Sequence, residues 1–107
     1  MSGPLGDMGS LLKQAQLMQR ELDKVKEDLA SRQVEGTAGG RAVVISLTCS
    51  REVISVEVSD ELAQDGNKAT IQEMVLVALR DAMAQVESIS AEEMGKVTGG
   101  LNLPGLM

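Results

Sequence analysis

Leu11, Ala15, Met18, Leu22, Val25 and Leu29 follow one another at spacings of 4, 3, 4, 3 and 4. This 3.5-residue period marks the narrow seam of an α-helix that packs lengthwise along another helix. Ser10 is the expected N-cap of that helix, which runs to about residue 32, and the Gly- and Pro-bearing residues 1–9 are expected to be a flexible lead-in. At 1.5 Å per residue the helix is roughly 35 Å long. A chain of 107 residues with no Phe, Tyr or Trp builds only a thin core. One end of the helix should therefore project beyond it.

After Ser31 the period changes from 3.5 to 2. Gln33–Thr37 fits a short strand, and Ala38-Gly39-Gly40 a tight turn. Arg41–Thr48 places Val43, Ile45 and Leu47 on one face, and Ser50-Arg51-Glu52 turns the chain again. Val53–Ser59 places Ile54, Val56 and Val58 on one face, with Ser55, Glu57 and Ser59 opposite. Asp60–Asn67 is an acidic loop or a short turn. Asn67 or Thr70 caps a second long helix, Thr70 with Glu73 as a capping box. Its apolar seam is Ile71, Val75, Leu79, Ala82, Val86 and Ile89, widened by Met74, Val77, Ala78 and Met83. Ala91–Val97 either continues that helix or forms a short one of its own, and residues 98–107 are expected to be a non-helical tail.

The predicted architecture is a single α+β domain: a long N-terminal helix, a three-stranded antiparallel sheet and a long C-terminal helix. Three strands leave open edges, which proteins pair or cover. A second copy supplies the missing cover most economically, and twofold dimers are the commonest oligomers. The expected homodimer interface is the strand face Ile45, Leu47, Val56 and Val58 together with Leu79 and Met83 of the second helix.

Missing residue types narrow the function. With no His there is no imidazole base or His–metal site, and a lone Cys49 rules out an intrachain disulfide and multi-cysteine zinc patterns. Cys49 itself suits a small hydrophobe at a strand end. Gly95-Lys96-Val97-Thr98 lacks the earlier glycine of a phosphate loop. The neighbouring acids Asp60-Glu61 and Glu92-Glu93 do not face a common substrate. The longest apolar run, Met74–Leu79, is far short of a membrane span of about 20 residues, and the N-terminus lacks a signal-peptide pattern. These features point to a cytoplasmic, non-catalytic protein without cofactor, metal, membrane or small-molecule substrate.

Sixteen acids against ten bases give a formal charge of −6, which taken alone argues against nucleic acid. The distribution of charge argues otherwise. No acid lies between Asp7 and Glu21, and Lys13, Leu17, Arg20 and Lys24 share the helix face opposite the seam. From Met94 onward the only charge is Lys96. Both chain ends are thus locally basic or neutral, and the acids concentrate in the middle.

Gly9-x-Leu11-Leu12-Lys13-Gln14-Ala15-Gln16-x-Met18-Gln19 resembles the opening helix of the YbaB/EbfC family of nucleoid-associated proteins. Gly99-Gly100-Leu101-Asn102-Leu103-Pro104-Gly105 resembles its closing motif, and the Asp81-Ala82 step also fits. The chain departs from the family at Ser59-Asp60, where relatives often carry Asp-Pro, and at Leu79-Arg80, where they tend to have an aromatic residue and Asn. The resemblance implies a tweezer-like homodimer with sheets joined centrally and helices as paired prongs. It also implies binding to double-stranded DNA with weak sequence preference, in organising the nucleoid or modulating transcription. On that reading the contacts come from Lys13, Arg20 and Lys24, with Gln16 a candidate for base edges and Lys96 a further candidate. The alternative is a protein–protein adaptor that grips its partner with Met8, Leu17 and the tail Leu101–Met107.

Overall fold

The structure is a computed structural model that describes the backbone of residues 3–101 and the side chains of residues 8–97. Six elements follow in order: α1 (Gly3–Ser31), β1 (Gln33–Ala38), β2 (Val43–Thr48), β3 (Val53–Val58), α2 (Asp60–Asp65) and α3 (Lys68–Leu101). The architecture is the α+β arrangement predicted from periodicity, with both helices longer than expected.

α1 begins at Gly3, so Ser10 lies inside the helix and caps nothing, and most of the expected lead-in is helical. Pro4 stands in the first turn, where backbone N–H groups have no intrahelical acceptor and the proline removes none that matters. α3 runs unbroken through Ala91–Val97 to Leu101, so Thr98–Leu101 are helical rather than tail. Once nucleated, a helix gains a bond for each residue added, and Gly99-Gly100 weakens it without stopping it. Residues 102–107 of the expected tail lie outside the described residues. The acidic stretch after β3 is the short helix α2, whose N-cap Ser59 accepts the Leu62 N–H through Oγ at 3.2 Å. Asp60 and Glu61 occupy its first turn, where the helix dipole favours anions. Asn67 caps α3, its Oδ1 accepting the Thr70 N–H at 2.8 Å.

The sheet is an antiparallel meander in the order β1-β2-β3. α3 lies across β1 and β2 and buries Val43, Ile45 and Leu47 against its own Ala78, Ala82 and Val86. These three α3 residues, at i, i+4 and i+8, form the strip pressed to the sheet. Two hydrogen bonds lock the helix to β1: the Thr37 N–H donates to Asp81 Oδ2 at 3.0 Å, and Gln85 Nε2 donates to the Glu35 carbonyl at 2.7 Å.

β3 is left uncovered. A register shift between Ser46 and Leu47 places Val53, rather than Ile54, opposite Leu47, while Val56 pairs with Ile45 and Val58 with Val43. Cross-strand partners share a face, so Val53, Val56 and Val58 stand on the helix side of the sheet. They remain exposed there, because α3 covers β1 and β2 instead.

The molecule measures 77 × 25 × 17 Å, with a radius of gyration of 21.1 Å, against about 13 Å for a compact chain of this length. α1 and α3 are about 44 and 51 Å long, too long to lie crosswise, so both follow the long axis. Their contact is at the C-terminal end of α1. Arg32, which follows α1, reaches Glu93 at 3.2 Å, and Leu29 shares a cleft with Ser90 and Met94. The stretch of α3 from Lys68 to Glu93 plus the length of α1 is about 80 Å at 1.5 Å per residue, close to the observed 77 Å. α1 therefore runs antiparallel to the last turns of α3 and overhangs its end as a projecting rod.

Candidate nucleic-acid interface

The two faces of α1 differ along its length. Near the core, Leu29 is buried and Leu22 and Val25 are half-buried. Nearer the tip the same seam is open, with Leu11 62% exposed. On the opposite face Lys13, Arg20 and Lys24 stand at i, i+7 and i+11, so their Cα atoms lie about 10 and 6 Å apart along the axis. Lys13, Gln16, Leu17 and Arg20 together line one shallow open depression.

Among the described residues, Lys13, Arg20 and Lys24 make no ion pair and no side-chain hydrogen bond. Of the other bases, Lys26, Arg51, Lys68 and Arg80 likewise make no ion pair among the described residues, whereas Arg41 is committed to Glu35 at 3.3 Å and Arg32 to Glu93 and Asp28 at 3.2 and 3.8 Å. Lys96 is also committed, at 3.2 Å from Glu93 Oε1. The hydrogen bond from Lys96, reinforced by the charges of Lys96 and Arg32, holds the Glu93 carboxyl below the usual glutamate range against a smaller opposing effect of burial. Lys96 thus stands on α3 with its charge balanced, apart from the α1 group. Gln19 donates to Asp23 Oδ1 at 3.0 Å, while Gln16, beside Arg20, makes no side-chain hydrogen bond among the described residues.

The residues expected at a dimer interface are divided. Ile45 and Leu47, at 1% and 0% exposure, belong to the protomer's own core, and Leu79 and Met83 are half-buried against it. Val56 and Val58 are exposed, and Val53 and Ile54, absent from the expected set, are exposed with them. The signal that would have found Val53 is broken by the register shift, because simple alternation assigns it to the other face. Cys49 is buried, its N–H donating to the Arg32 carbonyl at 2.9 Å, as suits a small hydrophobe at the end of β2. Among the described residues no group of His, Cys, Asp and Glu is placed to hold a metal ion, and no helix is long and apolar enough to cross a membrane.

Residues 5–101 match the profile of the YbaB/EbfC DNA-binding family. A nucleoid-associated protein of Alkaliphilus metalliredigens is 36% identical over 104 residues, covering 97% of this chain and 91% of the relative. One from Desulforamulus reducens is 40% identical over 101 residues, covering 94% of this chain and 96% of the relative. The crystal structure of an uncharacterized Helicobacter pylori protein superposes with a TM-score of 0.63 at 26% identity, over 76% of this chain and 82% of that one. The matched span takes in α1 with its free cations, the whole sheet and α3, and on that ground the chain belongs to the YbaB/EbfC DNA-binding family.

Proposed function

We propose that this protein is a non-catalytic, nucleoid-associated homodimer that binds duplex DNA with weak sequence preference through the projecting helix α1. The observation that carries the proposal is the unpaired trio Lys13, Arg20 and Lys24 on one outward face. Cations on a solvated rod contact phosphates, which positions a duplex without reading it. Gln16 is the one amide in the depression between Lys13 and Arg20 and offers at most a contact to adenine edges. With no aromatic residue in the chain, stacking on single-stranded bases has no platform. A pair of such rods holds the acidic body away from the DNA, the geometry suited to organising the nucleoid or modulating transcription.

The test is fluorescence anisotropy of a dye-labelled duplex across a salt series, with wild type and a Lys13→Ala/Arg20→Ala/Lys24→Ala variant. Three cations in each of two protomers correspond to a slope of about −5 in log affinity against log salt. The variant should lose most of that slope and bind at least tenfold more weakly at low salt. Absence of binding at low salt by a verified dimer would overturn the proposal and favour the adaptor reading, which exposed Met8 and Leu17 support. An apolar grip on a protein partner would hold or strengthen as salt rises.

A further inference from the structure

A cleft of about 340 Å³ opens where α1, the turn between β2 and β3, and α3 meet. Leu29 of α1 and Met94 of α3 form apolar walls, and Lys26, Ser50 and Arg51 form a polar rim. Among the described residues no acid lines the cleft, although the chain carries sixteen acids against ten bases. Lys26 and Arg51 make no ion pair and no side-chain hydrogen bond among the described residues. The volume lies in the range of small-molecule sites, about 300–1,000 Å³, which are largely apolar with a few placed polar groups.

The rim hydroxyl is set to donate. Thr48 Oγ1 already accepts the N–H groups of Ser50 and Glu52, at 3.3 and 3.1 Å, which takes both of its lone pairs. The 2.7 Å contact between the Thr48 and Ser50 hydroxyls is therefore donated by Thr48, and the Ser50 proton is left for a group outside the turn. Arg51 follows at φ 71°, a left-handed conformation that glycine would adopt without strain. Arg41 also has positive φ, but it is paired with Glu35, whereas Arg51 holds its turn position with its charge unpaired. Ser90 donates to the Cys49 carbonyl at 3.5 Å and so joins α3 to the turn instead of reaching outward.

We propose that this cleft binds a small organic phosphate that carries an aromatic ring. The ring lies against Leu29 and Met94, and the phosphate meets Lys26, Arg51 and the Ser50 hydroxyl. A guanidinium offers phosphate oxygens a planar fork, an ammonium adds a point charge, and a thioether packs favourably against an aromatic edge. Lys26 stands about 140° round α1 from Lys13, at about 100° per residue. A duplex on the face of Lys13, Arg20 and Lys24 therefore leaves the cleft open. Because the walls come from three elements, the bound molecule ties the root of the projecting helix to α3 and to the β2–β3 turn.

The test is NMR of the full-length chain with isotope-labelled methionine methyl groups, the Met94 signal being assigned through Met94→Leu. The probe is adenosine monophosphate, compared with adenosine and with inorganic phosphate as its two halves. The expected result is a saturable shift of the Met94 methyl signal, with adenosine monophosphate bound about tenfold or more tightly than either half. Lys26→Gln/Arg51→Gln should weaken that binding about tenfold or more, the scale of charge-assisted hydrogen bonds. Both side chains are exposed, so the Met74 and Met83 signals should stay in place and report an intact fold. Lys13→Gln/Arg20→Gln removes the same charge away from the cleft and should leave the affinity unchanged. A Met94 signal that does not move would overturn the site, as would equal weakening in the two double variants. Adenosine bound as tightly as its monophosphate would overturn the anion contacts, and inorganic phosphate bound as tightly would overturn the apolar walls.

Discussion

Gly36 shows what a single side chain would undo. It sits in β1 where α3 crosses closest, and a Cβ there would lie 2.5 Å from Ala82 N and 2.7 Å from Ala82 Cβ, and nearer still to the Ala78 carbonyl oxygen. Two of these neighbours are helix backbone and cannot swing aside. Gly36→Ala should therefore lower stability by about 1–3 kcal/mol, the usual range for overpacking a tight core, seen as a lower urea midpoint. Gly95, by contrast, has open space around its Cα inside α3, so Gly95→Ala should raise stability by roughly 1 kcal/mol through helix propensity, seen as a higher urea midpoint. A neutral Gly36→Ala would show that the helix does not press on β1. The sequence carries no trace of this crossing, since QVEGTA reads as a short strand whatever lies above it. Ala78 and Ala82 were legible as part of an apolar face. That they are small because a backbone must approach them is visible only once α3 and β1 are brought together.

At the scale of elements, Glu93 joins the end of α1 to α3. It faces two cations, Lys96 on its own helix and Arg32 from the α1–β1 junction, and no other charged group is paired with it among the described residues. Its carboxyl is held below the usual glutamate range, first by the Lys96 hydrogen bond. A carboxyl depressed in the folded state adds stability that is fully present above its unfolded value and is lost as pH falls through the folded one. Wild type should thus exceed Glu93→Gln in melting temperature at pH 7, and the gap should close below about pH 4. A gap that persists at pH 3 would show that the pairing does not act through this charge. The elements themselves were largely legible. The 3.5-residue seam marked α1, and alternation put Val43, Ile45 and Leu47 on the face that α3 buries. The helix ends were not legible, because Gly and Pro near a terminus look like lead-in or tail. In a long helix they are tolerated wherever the hydrogen-bond ladder does not need them.

For the whole molecule the unfinished surface is β3. Among the described residues its outer backbone edge has no strand partner, and Val53, Val56 and Val58 carry the apolar helix-side face of the sheet beyond the reach of α3. Charged residues usually protect such an edge; here Glu57 is the only charge in the strand. The residues expected at a dimer interface from alternation divide for this reason between the protomer's own core and its exposed strand. Ile45 and Leu47 have the right pattern, but α3 reaches them first, whereas Val56 and Val58 lie one strand too far out to be covered. A second copy meeting at β3 would bury this strip and set two α1 rods on one particle, doubling the cations of the Lys13, Arg20 and Lys24 face from three to six. We expect Val56→Glu/Val58→Glu to sediment as a folded monomer at concentrations where wild type is a dimer. Both side chains are exposed in the protomer, so the circular dichroism spectrum should be unchanged. The same variant keeps Lys13, Arg20 and Lys24, yet its DNA affinity should show about half the salt slope of wild type, because one rod then acts alone. A variant that remains dimeric would move the contact away from β3. A monomer that keeps the full slope would instead show that one protomer supplies all the phosphate contacts.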